Sequence, residues 1–107
     1  MNHYAGIDVS LKSSAVCIVD GAGKIVREAA VESEPAVLIG WFKQFGIEVE
    51  RIGLEAGPPS QWLYAAMQEA GQRVELLETR HVRDAFRAMS IIAMLMDLRS
   101  QWPKTSP

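Results

Sequence analysis

The sequence predicts an α/β fold, a mixed sheet with helices on its faces. Two observations carry this. Strand-like runs joined by short connections occupy the first third of the 107 residues. After them, apolar residues at helical spacing alternate with short strand-like runs, a pattern that adds crossover strands to a meander. The predicted order is βββαβαβα.

The first strand spans His3 to Val9, with His3, Ala5, Ile7 and Val9 on one face and Asp8 on the other. Ser10 to Ser13 is a polar connection, and Ser14 to Val19 is a second, largely buried strand. Asp20-Gly21-Ala22-Gly23 is a hairpin turn, with Asp-Gly supplying the positive φ. Lys24 to Val31 is the third strand. Val37, Leu38, Trp41, Phe42 and Phe45 then fall at helical spacing, opened by Pro35 and stopped by Gly46. Arg51 to Leu54 is a short strand. Pro58-Pro59-Ser60 opens a second helix with Trp62, Leu63, Ala66, Met67 and Ala70 inward, and Gly71 ends it. Arg73 to Leu77 is a fifth strand. A third helix runs from about Thr79 into the nineties.

The totals bound the reading. The length suits a single domain, and an apolar content near one half is enough to fold. A formal charge of −2 does not advertise a nucleic-acid binder. Residues 1–60 hold five Lys/Arg against eight Asp/Glu, and residues 61–107 hold six against five, so a polyanion reaches the acidic half through cations. Cys17, the one cysteine, lies in an apolar run and reads as a small buried hydrophobe. No signal peptide or membrane-length apolar run is present, which points to a cytoplasmic protein without membrane contact.

Two segments carry chemistry. Gly6-Ile7-Asp8-Val9-Ser10 and Ile52-Gly53-Leu54-Glu55-Ala56-Gly57 each end an apolar run with one acid. A carboxylate there needs a counter-charge, and a divalent cation supplies one. Two acids on neighbouring strands suit metal-assisted phosphodiester chemistry; the alternative is a pair of strand-end acids facing water. With the first strand central and the first crossover strand parallel beside it, Asp8 and Glu55 become neighbours. Glu55 also precedes a helix start, where phosphate is favoured.

These two segments, together with Glu78-Thr79-Arg80-His81-Val82, resemble the N-terminal domain of the DEDD-type insertion-sequence transposases, relatives of the pilin-gene invertases. The resemblance runs from residue 3 to about 89. It implies a ribonuclease-H-like, RuvC-like fold, with Asp8 and Glu55 as the first two of four acids in a Mg²⁺ site acting on DNA. It further implies a serine-bearing C-terminal domain in the full-length protein, and a guide RNA that selects DNA targets.

The departure from the family pattern begins after residue 89. Where the family carries Lys-Thr-Asp-x-x-Asp-Ala, this chain reads Ser90-Ile91-Ile92-Ala93-Met94-Leu95-Met96-Asp97-Leu98. Asp97 lacks its companion acid, and Asp84 falls too early. The expectation is a ribonuclease-H-like domain over 1–89 and a divergent, out-of-frame tail over 90–107, in a truncated copy inactive by itself. In that case Met89, Met94 and Met96 form an exposed apolar segment; otherwise they line a helix face.

Arg80, Arg83 and Arg87 share one helix face and either contact phosphates or form a solvated face paired with Glu78 and Asp84. Lys12, just after Asp8, either positions a phosphate or belongs to a plain polar turn. His3 and His81 lack metal-ligand spacing, and Trp41, Phe42, Phe45 and Trp62 sit on inward stripes as core. Two other functions compete with the transposase fragment. Gly-Ile-Asp-x-Ser before a hairpin also resembles the phosphate loop of actin-like ATPases and sugar kinases. A chain that keeps the fold and a dimer surface could instead be a non-catalytic module binding a full-length transposase or a second copy.

Overall fold

In a computed structural model, residues 2–55, 58–77, 88, 91–93 and 95 are described. The elements are β1 (His3–Asp8), β2 (Ser13–Asp20), β3 (Ile25–Glu32), α1 (Pro35–Phe45), β4 (Arg51–Glu55), α2 (Pro58–Glu69) and β5 (Val74–Leu77). They form one five-stranded sheet in the order β3-β2-β1-β4-β5. β1 is central: it pairs antiparallel with β2 and parallel with β4, and β5 extends the sheet parallel to β4. The mixed sheet and its element order agree with the sequence reading through β5. Of the expected third helix, Ala88, 91–93 and Leu95 are helical, and the rest lies outside the described residues.

Strand alternation gives the sheet two different faces. On one, Ala5, Ile7, Val16, Ile18, Ile52, Leu54 and Val74 pack against Leu38 and Phe42 of α1 and Leu63 and Met67 of α2. On the other, Tyr4, Cys17 and Val19 meet Ile92, and Leu77 meets Ile91 and Leu95. Ile91, Ile92 and Leu95, inside the stretch expected to diverge, are thus fully buried. Met89, Met94, Met96 and Asp97 lie outside the described residues. Burial pushes the Cys17 thiol upward in pKa, helped by the charge of Glu28 on the paired strand.

Glycine ends both helices. Gly46 caps α1 at φ 81 and Gly71 follows α2 at φ 87, the left-handed conformation that terminates a helix. The hairpin corrects the sequence reading, because its positive φ falls on Gly23, at 86, and not on Gly21. Gly23 N–H donates to the Asp20 carbonyl at 2.9 Å, and Asp20 N–H donates to the Lys24 carbonyl at 2.9 Å. This is a three-residue loop, a turn followed by a left-handed residue, so the glycine is needed one step later than in a two-residue hairpin.

The helix stripes also proved narrower than expected. Trp62 is 45% exposed and Val37 is 40% exposed, and Ala70 faces solvent. Each helix lies on the sheet along Leu38 with Phe42 and Leu63 with Met67, so Val37 and Trp62, a quarter-turn to one side, stay outside, while Ile39 and Tyr64 on the other side pack partly against the core. Trp41 stacks on Phe45 with centroids 5.9 Å apart and meets Phe42 edge-on at 5.1 Å; of these three, all read as core, Phe42 is buried, while Trp41 and Phe45 are half-buried against it.

Candidate functional site

The carboxyl ends of β1 and β4 bring the two sequence-predicted acids together. The parallel register pairs Gly6 with Gly53 and Ile7 with Leu54, and Asp8 and Glu55 come next on their strands. Ile7 and Leu54 belong to the face covered by α1 and α2. Asp8 and Glu55 therefore share the opposite face, which carries Tyr4, Gly6 and Gly53. Both acids are half-buried. Asp8 is flanked by Ala15 on β2, and Glu55 by Leu77 on β5.

Other groups converge on the same end of the sheet. The loop of residues 9–12 leaves β1 directly after Asp8, and Lys12 on it is exposed. β3 also ends here, because Glu32 pairs with Ser13. The Ser33 N–H donates to the Lys12 carbonyl at 3.0 Å, and the buried Ser14 and Ser33 hydroxyls bond each other at 2.7 Å. Both α1 and α2 start at this end, α2 three residues beyond Glu55. Clefts outside the carboxyl ends of strands are where open α/β sheets bind ligands. Arg80, Arg83 and Arg87 lie outside the described residues.

Two residues of this site carried no structural meaning in the sequence beyond membership of a motif. A side chain at Gly6 would meet the Ala88 carbonyl and, at 2.9 Å, Ile92 Cγ1; one at Gly53 would meet Ile91 Cγ2 at 2.6 Å and Leu95 at 3.0 Å. The paired glycines let a helix rest on bare backbone immediately below the acids. The motif's glycine-before-acid spacing, repeated at 6 and 53, was the signal that could have found this seat.

The acids are two hard oxygen donors on one face, a set that suits Mg²⁺. Among the described residues, no group of three or more His, Cys, Asp or Glu assembles as a metal site. A cation here would complete its shell with water and phosphate oxygens, which is how Mg²⁺ is commonly held.

No protein-family profile and no curated protein matches this sequence. Among solved structures, T. thermophilus RuvC in complex with a Holliday junction substrate is similar, with a TM-score of 0.56 at 15% identity, covering 100% of this chain and 83% of that one. The chain has the ribonuclease-H-like fold, in its RuvC-like form. No described helix is long and apolar enough to cross a membrane.

Proposed function

We propose that this chain is part of the catalytic domain of a DEDD-type transposase acting on DNA phosphodiesters, with Asp8 and Glu55 as two of its Mg²⁺-holding carboxylates. One observation carries the reading: the two acids follow the Ile7–Leu54 pair on adjacent parallel strands and share one face. The similar RuvC structure contains a DNA junction, which supports DNA as the partner class. The transposase identity, the guide RNA and a full-length or self partner rest on the motif resemblance.

When bound, the ion would neutralise a phosphate and act as a Lewis acid on it. The chain's own residues supply the rest. Asp8 and Glu55 fix the position of the charge at the strand ends. Lys12 offers a cation to a neighbouring phosphate. Two carboxylates hold a cation weakly, so the isolated chain binds Mg²⁺ loosely and does not cleave DNA.

Nuclear magnetic resonance with Mn²⁺ as the probe tests this. Resonances of residues 6–10 and 53–55 broaden in the unsubstituted chain, and the broadening disappears in the Asp8→Asn, Glu55→Gln double variant. Broadening elsewhere, or broadening that survives both substitutions, contradicts the assignment.

A further inference from the structure

Leu11 stands out at the tip of the loop that follows Asp8. It is 91% exposed, whereas Ile25, Val26, Val37, Ile47 and Trp62 are 40–45% exposed and keep more than half of their surface covered. The loop that holds it is braced. Its Lys12 carbonyl accepts the Ser33 N–H, and the buried Ser14–Ser33 hydroxyl pair pins the neighbouring strand. A large apolar side chain is thus held in water, next to a cation, at the end of the sheet that carries both acids.

We infer that Leu11 is a wedge that packs against the bases of DNA where the stack is open, at a branch point, while Lys12 takes an adjacent phosphate. This rests on the assignment of Asp8 and Glu55 to a DNA site. A continuous duplex shows a loop mostly phosphate and sugar, on which a leucine gains little. Base faces become reachable where stacking is interrupted, and an apolar side chain inserted there exchanges water for a π-face. Because such contact uses no hydrogen bonds, recognition is of open structure and not of sequence. A braced loop also loses little freedom on binding.

The test uses the full chain with a four-way DNA junction carrying 2-aminopurine at the branch point, and a plain duplex of equal length, at one fixed salt concentration. Leu11→Ser weakens junction binding about ten-fold, abolishes the rise in 2-aminopurine emission and leaves duplex affinity within about two-fold. Lys12→Gln weakens both DNAs alike. An unchanged thermal midpoint for Leu11→Ser shows that the fold is intact, as expected for a side chain in solvent. Unaltered junction affinity in Leu11→Ser, or equal losses on junction and duplex, overturns the wedge. If the unsubstituted chain binds neither DNA, the wedge and the DNA reading fall together. Survival of the Mn²⁺ broadening at Asp8 and Glu55 beside an unaffected Leu11→Ser removes the wedge alone.

Discussion

Gly6 lies opposite Gly53 across the central parallel pair of strands, and the helical residues 88–95 that are described rest on both. Each glycine precedes an acid by two residues, so the same face steps from bare backbone to carboxylate along β1 and β4. Gly6→Ala tests how tight this seat is. The new methyl group would run into a backbone carbonyl, that of Ala88, which cannot swing aside as a side-chain tip can. A loss of about 1–3 kcal/mol in unfolding free energy is expected by urea titration. A neutral result would mean that the helix shifts freely over the sheet.

Gly40 gives the opposite expectation. It sits inside α1 with nothing within 4 Å of a prospective methyl group. Alanine there removes backbone freedom from the unfolded chain without a clash. Gly40→Ala should therefore stabilise the protein by about 0.5–1 kcal/mol in the same titration. The pair of substitutions separates a glycine needed for close approach from one that is merely tolerated.

Residues 90–107 form a third test. Ile91 and Leu95 are 0% exposed and Ile92 is 2% exposed, and together they cover the second face of the sheet. Leu95→Ala is expected to cost about 2–5 kcal/mol. Deleting 90–107 strips all three side chains from Tyr4, Cys17, Val19 and Leu77. The shortened chain should lose its cooperative thermal transition and bind a hydrophobic dye. A sharp transition after the deletion would show that the α1 and α2 face suffices.

Much of this architecture was legible because it rests on local signals. The period change after Ser33, the glycine stops at 46 and 71, and the alternation from His3 to Asp8 each fix an element from a few neighbouring residues. The adjacency of Asp8 and Glu55 followed from element order alone, once the first strand was taken as central. The misses are tertiary in origin. Trp62 and Val37 read as inward because a helical stripe gives a direction but not a width, and the width depends on how the helix meets the sheet. The seat at Gly6 and Gly53 depends on a helix far along the chain. Likewise, Ile91, Ile92 and Leu95 become core only because those glycines admit them.

Magnesium should stabilise the chain through the two acids. A ligand that binds only the folded state adds RT ln(1 + [L]/Kd), about 1.4 kcal/mol at ten times Kd. The thermal midpoint should rise with Mg²⁺ in the unsubstituted protein and stay level in Asp8→Asn. An equal rise in both would assign the ion to another part of the surface.

Acid should loosen the β2–β3 hairpin through Asp20. Its side-chain carboxylate accepts the Lys24 N–H at 3.0 Å and the Ala22 N–H at 2.9 Å. The bond from Lys24, the bond from Ala22 and the nearby positive charges of His3 and Lys24 together hold its pKa below the ordinary 3.8. The unfolded chain therefore takes up this proton first. The stabilisation is present above the ordinary value and is lost as pH falls through the lower, folded one. Asp20→Asn keeps an oxygen acceptor but removes the charge, so it should be slightly less stable than the parent at pH 7. Below about pH 4 the two proteins should converge. Thermal midpoints measured from pH 7 to pH 2.5 test this, and a gap between them that does not change with pH would mean that the ionised carboxylate contributes nothing to the turn.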